Sequence, residues 1–400
     1  MKSNHKGGIA IMKEKNKRNV LRCVKENGPI SRSEVADQLH LSKPTVSALV
    51  EELLQENWLK EVGPGSAGLA GGRKPIQLVF NSRAAHVIGI DMGGTKVRTG
   101  ICDLIGQPLA VDEFPTQTQK KTLLKALKQN VDKLLKNAAL KPDDILGMGI
   151  GAPGMTDADR GVVIDAPSLS WSQYPLKKEA EALFPWPVMV DNDVNVAVLG
   201  EQWLGAAKGM KHVVLISIGT GVGCGMLING QLYRGATWAA GEIGYMVTDM
   251  AKARSADLPP PHEGYGFLEQ YVGGAGIVQS MKQEMKGQPE PLFPNNFSAK
   301  DVFQKAKDGD QAAVRVIDEV IDHIGFAVAN MISIINPEVV LLGGGISRSA
   351  DWFLPRIQKT IQDFASVSAP VLPTALGENL GVVGAVSLVL RETESVLKEL

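Results

Sequence analysis

Val87-Ile88-Gly89-Ile90-Asp91-Met92-Gly93-Gly94-Thr95-Lys96-Val97-Arg98-Thr99-Gly100-Ile101-Cys102-Asp103 decides the fold, because it reads as two β runs hinged on a Gly-Gly-Thr turn. A turn built of glycines leaves its backbone amides bare, and bare amides can hold a phosphate. The device returns in Val213-Val214-Leu215-Ile216-Ser217-Ile218-Gly219-Thr220-Gly221-Val222-Gly223-Cys224-Gly225-Met226-Leu227, with Gly219, Thr220 and Gly221 at its tip. Two such hairpins, each opening a stretch of mixed α/β pattern, imply an internal duplication around a cleft. Both differ from a P-loop, whose glycines open a helix. Either hairpin alone would be an ordinary turn.

Between the hairpins, the apolar run Pro187-Val188-Met189-Val190 leads straight into Asp191-Asn192-Asp193-Val194-Asn195. An isolated acidic residue is usually solvated surface. A carboxylate at the end of a buried-strand pattern stands where α/β folds collect ligands. Such a carboxylate can take the proton of an attacking hydroxyl as a phosphoryl group departs, and Asp193 is the candidate.

Upstream lies a separate module. Lys15 to Asn27 carries Val20, Leu21, Cys23 and Val24 at helical spacing, and Gly28-Pro29 ends it. Ser31-Arg32-Ser33-Glu34 has the form of a capping box before Val35, Ala36 and Leu39. Ser42 caps a third helix whose first turn tolerates Pro44, and Val46, Leu49, Val50, Leu53 and Leu54 form its inner face. Lys43, Thr45, Ser47 and Ala48 then lie outward at its N-terminal end, small or polar enough to meet bases and phosphates in a major groove. Leu59–Val62 and Ile76–Phe80 read as a hairpin wing, with Gly71-Gly72-Arg73-Lys74-Pro75 at its base. The DNA-contact candidates are Ser42, Lys43, Thr45, Ser47, Arg73 and Lys74.

Charge agrees with this division. The 400-residue chain has a formal net charge of −1, yet its first 80 residues hold 13 Lys and Arg against 8 Asp and Glu. The acidic excess therefore falls on the remainder, and only the first segment suits a polyanion. With 44% hydrophobic and 21% charged residues, no apolar run of the roughly 20 residues that span a bilayer, and no secretion signal, the chain is expected in the cytoplasm, without a membrane partner. Cys23, Cys102 and Cys224 are far apart in apolar surroundings, which suits reduced core thiols. Residues 1–12 are expected to form a flexible tail. Lys6-Gly7-Gly8 requires purine-rich codons ahead of Met12, so Met1 and Met12 are both candidate starts.

Residues from about 86 to 390 resemble the ROK family of repressors, open reading frames and sugar kinases, within the actin-like ATPase superfamily. Asp91-Met92-Gly93-Gly94-Thr95-Lys96 resembles its first phosphate motif and Asp191–Asn195 its sugar and catalytic motif. Gly219–Gly223 is similar to the second phosphate motif, Gly241-Glu242-Ile243-Gly244 to the family signature, and Leu342-Gly343-Gly344-Gly345 to the adenosine motif. The helix-turn-helix and wing resemble the repressor branch, represented by xylose and N-acetylglucosamine repressors. The resemblance implies an α/β chain: a winged helix-turn-helix over 13–82, then a two-lobed, duplicated ribonuclease H-like sugar-kinase fold. The lobes would span 83–193 and 194–400, the C-terminal helix returning to the first. It also implies sugar contacts from Asn192, Asp193, Glu242 and Glu269. Phosphate contacts would come from Gly93, Gly94, Thr95, Lys96, Gly219, Thr220, Gly221, Gly343, Gly344 and Gly345, with Asp91 near Mg²⁺.

Departures from the family pattern matter equally. Tyr245 stands where the family has a histidine shared by sugar and zinc, and Ser168 where relatives place a sugar-binding asparagine. The cysteine-rich zinc loop is replaced by Pro260-Pro261-His262-Glu263-Gly264-Tyr265-Gly266-Phe267, which offers no thiolate, so no zinc or other structural metal is expected. Two functions follow: a sugar-responsive regulator, expected as a homodimer or larger homo-oligomer on operator DNA, or an ATP-dependent sugar kinase using Mg-ATP. The complete DNA-binding module ranks the regulator first.

Overall fold

The computed structural model describes residues 4–64, 74–116, 120–254, 266–286, 293 and 296–399. The chain forms two units: Met1–His86 with Asp103–Gln107 and Glu392–Leu400, and Val87–Cys102 with Pro108–Arg391.

In the first unit α1 (Asn4–Asn27), β1 (Ile30–Ser31), α2 (Arg32–Leu39) and α3 (Lys43–Gln55) precede the hairpin of β2 (Leu59–Pro64) and β3 (Ile76–Phe80). The strands form a sheet in the order β1-β3-β2, with Leu59 opposite Phe80 and Glu61 opposite Leu78. Both helix starts are capped. The Ser31 hydroxyl accepts from the Glu34 amide, and a Glu34 carboxylate oxygen accepts from the Ser31 amide at 2.8 Å. Ser42 accepts from the Thr45 amide at 3.3 Å, with Pro44 in the first turn. Val20, Val24, Val35, Val46, Val50 and Leu53 close a core over Leu59 and Leu78. One expectation is corrected. Residues 4–12, expected as a flexible tail, form the first turns of α1 despite Gly7-Gly8, and Lys13 just beyond them pairs with Glu52 of α3 at 2.6 Å.

The second unit contains two five-stranded sheets of the same design. The first lobe has β4 (His86–Met92), β5 (Lys96–Asp103), β6 (Pro108–Pro115), α4 (Lys120–Asn137), β7 (Ile145–Ala152) and a side sheet of β8 (Met155–Asp157), β9 (Val162–Ala166) and β10 (Trp171–Tyr174). It continues through α5 (Leu176–Glu181), β11 (Val188–Asn192) and α6 (Asp193–Leu204). Its main sheet has the order β11-β7-β4-β5-β6.

The second lobe begins with β12 (Val213–Ile218), β13 (Val222–Ile228) and β14 (Gln231–Leu232), followed by α7 (Met250–Ala253), α8 (Phe267–Val272), α9 (Gly274–Glu284), α10 (Ala299–Lys307) and α11 (Gln311–Ile335). It ends with β15 (Val339–Gly343), α12 (Ala350–Phe364), β16 (Val371–Pro373) and α13 (Leu380–Glu399). Its sheet order, β14-β13-β12-β15-β16, repeats the first with a hairpin on one side and parallel strands on the other. The repetition explains the two glycine-tipped hairpins.

Each lobe sends a helix to the other. α6, leaving β11, packs its Val194 and Val198 against β13, while α13 packs Val382 and Val386 against Val87 and Cys102. These approaches demand glycine. A Cβ at Gly149 of β7 would stand 2.0 Å from the Ala385 carbonyl oxygen, and one at Gly384 would stand 1.9 Å from that of Val196. The helices thus touch backbone to backbone where the lobes meet.

Candidate functional site

The cleft is built from strand ends. Asp191 and Asn192 end β11, Asp193 opens α6, and Asp91 lies near the end of β4. Asn192 caps α6, its Oδ1 accepting from the Val194 and Asn195 amides while its Nδ2 donates to the Gly154 carbonyl and to Asp193 Oδ1. Asp193 Oδ1 also accepts from the Val194 amide at 2.9 Å. Both bonds fall on Oδ1.

Burial, then the neighbouring Asp91 and Glu242 carboxylates, push the Asp193 carboxyl up to about 7. Asp91 itself is raised by burial, against the pull of Lys96 and Arg98. Across the cleft, burial and Glu269 raise Glu242, while burial raises Glu269, whose Oε2 accepts from the Val222 amide at 2.8 Å. Tyr245 is half exposed, and its phenol is raised by burial and by Glu242, Glu269 and Asp165. These mutual influences bring Asp91, Asp193, Glu242, Glu269 and Tyr245 to one electrostatic neighbourhood. Clustered carboxylates held above their ordinary range suit hydroxyl recognition, since each can accept or donate to a polyol.

The phosphate-type hairpins adjoin this cluster. The Gly93 amide donates to the Lys96 carbonyl at 2.9 Å, and Gly219 to Gly221 at 2.9 Å. A Cβ at Gly219 or at Gly345 would meet nothing within 4 Å, so both backbone tips have open space. Gly344, at φ +76°, sits against the end of β12, where a Cβ would stand 2.2 Å from the Ile218 carbonyl oxygen. Ser168 adjoins the first hairpin, its Cβ 3.2 Å from where a Gly94 Cβ would stand. Lys96 is the exception. Its ammonium pairs with Glu113 of β6 at 2.9 Å, and Arg98 shares that carboxylate at 2.7 Å.

In the first unit Ser42, Lys43, Thr45 and Ser47 are all exposed, while Val46, Leu49, Val50 and Leu53 turn inward. Lys74 is exposed at the start of the returning wing strand. Arg73, His262, Glu263 and the rest of the zinc-loop replacement through Tyr265 lie outside the described residues. Cys23, Cys102 and Cys224 are buried thiols that form no disulfide, and burial pushes the Cys224 thiol up to about 12. Among the described residues, no cluster of His, Cys, Asp and Glu could hold a metal, and no helix is long and apolar enough to cross a membrane.

Three participants escaped the sequence reading. Asp165 belongs to the acidic neighbourhood, Glu113 captures Lys96, and Arg234 donates from Nε and Nη2 to buried Asp191 at 2.8 and 2.6 Å. None stands in a periodic pattern or a glycine motif. Only spatial pairing reveals them.

Comparison with known proteins places this geometry. The xylose repressor of Caldicellulosiruptor bescii is 29% identical over 398 residues, covering 96% of this chain and 98% of the relative. The glucokinase of Halalkalibacterium halodurans is 32% identical over 323 residues, covering 78% of this chain and 97% of the relative. A crystal structure of a ROK family transcriptional regulator, homologous to the E. coli MLC protein, shares the fold with a TM-score of 0.79. It is 22% identical and covers 97% of this chain and 98% of that one. A winged helix-turn-helix DNA-binding family matches residues 13–60, and the ROK family matches residues 87–392. With its paired hairpins, its carboxylate cleft and this match over most of its length, the chain belongs to the ROK family.

Proposed function

We propose that this protein is a sugar-responsive transcriptional repressor that binds operator DNA through its winged helix-turn-helix and a small sugar in the cleft. The observation that carries this reading is the coexistence, in one chain, of an exposed and capped recognition helix with a ROK cleft. The full-length likeness to a xylose repressor supports it. Ser42, Lys43, Thr45, Ser47, Arg73 and Lys74 meet the DNA. Asn192, Asp193, Glu242, Tyr245, Glu269 and Ser168 meet the sugar.

A sugar that binds the closed cleft more tightly than the open one shifts the lobes toward closure, by no more than its differential affinity. In a homodimer reading two half-sites, closure in each chain changes how well both heads fit the operator at once. Incubating the purified chain with sheared genomic DNA tests this. Recovery of discrete fragments, released or retained on adding a sugar, supports the reading, and uniform recovery of all fragments contradicts it.

A second reading, an ATP-dependent sugar kinase, is favoured by one feature. An Asp193 carboxyl at about 7 is matched to a general base at neutral pH. The open backbone at Gly219 and Gly345 fits a polyphosphate, whereas Lys96, held by Glu113, does not reach for one. Mg-ATP would lie along Gly93–Thr95, Gly219–Gly221 and Gly343–Gly345 with Asp91 toward the metal, and would supply the transferred phosphoryl group. Asp193 Oδ2 would take the hydroxyl proton as the sugar oxygen bonds to phosphorus. Coupled ADP release from wild type, lost in Asp193→Asn while calorimetric sugar binding persists, would establish this activity. Binding without turnover in wild type makes the domain a receptor.

A further inference from the structure

We propose that Arg234 is a positioning residue of the cleft, tying the Asn192-Asp193 side to the Glu242 side; this deepens the sugar-site reading and rests on it. Asp191 is fully buried at the end of β11, in the first lobe. Its Oδ1 accepts from the Asn192 amide at 2.8 Å and from Asn195 Nδ2 at 2.9 Å, so it fixes the first turn of α6. Its Oδ2 takes both donors from Arg234, which lies just beyond β14 in the second lobe. One buried carboxylate is thus shared between the lobes.

The segment beginning at Arg234 is itself stiff. The Tyr233 amide donates to Met226 at 2.9 Å, Ala240 to Arg234 at 3.2 Å, and Cys224 to Gly241 at 2.9 Å. Gly241 is at φ +96°, and a Cβ there would stand 1.9 Å from the Cys224 carbonyl oxygen, so only glycine closes the loop. Glu242 follows at once. Where Arg234 is anchored therefore determines where Glu242 stands relative to Asp193. Asp193 and Glu242 repel each other, and the Asp191–Arg234 pair fixes the two segments that carry them. Lysine could replace the charge but not the side-on pair of donors.

The test is hydrogen exchange by mass spectrometry on the ligand-free full chain, with Arg234→Met, Arg234→Lys, Asp191→Asn and the double variant Asp191→Asn/Arg234→Met. Exchange across 192–200 and 230–246 should accelerate about tenfold or more in Arg234→Met, because removing one partner strands a buried charge. The strands β4 and β7 should be unaffected. The neutral double variant should be no worse than either single change, and Arg234→Lys should recover only part of the protection. Calorimetric titration with D-xylose and D-glucose should show affinity for whichever sugar binds falling about tenfold or more in Arg234→Met. Unchanged exchange in both segments, or strictly additive single effects, would overturn the proposal. If wild type takes up neither sugar, the sugar reading fails separately, and the exchange results still uphold or overturn the tie between the two sides.

Discussion

Replacing Asp193 by Asn should make the ROK domain more stable, and increasingly so as pH rises. The folded chain holds the Asp193 carboxyl at about 7 instead of 3.8, because burial, Asp91 and Glu242 all oppose its ionisation. The sign follows from proton binding. Between the two values the native state keeps a proton that the unfolded chain has lost, so the native state is progressively disfavoured as pH rises. Moving the carboxyl from 3.8 to about 7 corresponds to at most about 4 kcal/mol once both states are ionised. Asparagine carries no charge, and its Oδ1 can still accept from the Val194 amide. The advantage of Asp193→Asn over wild type should therefore grow by roughly 2 to 3 kcal/mol between about pH 5 and about pH 8. Differential scanning calorimetry of both proteins at the two pH values, following the transition of the larger unit, measures this. A variant no more stable than wild type at the higher pH, or a gap that does not widen, would refute the account of Asp193 as a carboxylate held under strain for a ligand.

Other consequences are equally direct. Changing Arg73 and Lys74 to Ala should weaken DNA binding and lower the salt slope by about 0.9 per lost phosphate contact, as read by fluorescence anisotropy at several salt concentrations. An unchanged slope removes the wing from the interface. Elemental analysis should find no stoichiometric zinc, and chelator should leave the unfolding temperature unchanged. One tightly held zinc per chain would contradict the reading of Tyr245 and residues 260–267. His323 is buried against Tyr271, hydrogen-bonded to Thr248, and its imidazole is pushed down to about 4 by burial and then by Lys252. On acidification the unfolded chain protonates first. Stability should thus fall from pH 6.5 toward about 4, by at most about 3 kcal/mol, and His323→Phe should flatten that fall in denaturant titrations.

Local signals made much of the architecture readable before any coordinates. Ser42 with Pro44, and Ser31 with Glu34, marked helix starts because caps satisfy amides within one turn. The glycine tips near residues 93 and 219 marked two hairpins because the motif recurs. The Asp191–Asn195 segment was legible as a strand end, and Glu242 and Glu269 through the family motif. The backward extension of α1 to Asn4 was not legible. Gly7-Gly8 argues locally against a helix, and the Lys13–Glu52 pair that ties it to α3 joins residues distant in sequence. Capture of Lys96 by Glu113 depends on the β5–β6 register, in which Arg98 stands opposite Glu113. The Asp191–Arg234 pair joins two sheets through an irregular loop, so no periodicity announces it. Likewise, Gly200 and Gly384 show their purpose only where α6 and α13 cross.

The central claim, that a sugar in the cleft governs DNA binding by the same chain, rests most directly on one equilibrium measurement. Full-length protein is titrated onto a recovered genomic fragment, with anisotropy read in the absence and presence of a sugar shown by calorimetry to bind. Coupling between two sites of one protein typically amounts to about 5- to 150-fold in affinity. A shift in operator Kd of that order, abolished when Glu242 and Glu269 are both changed to Gln, is the predicted result. An operator affinity that stays the same at saturating sugar would contradict it.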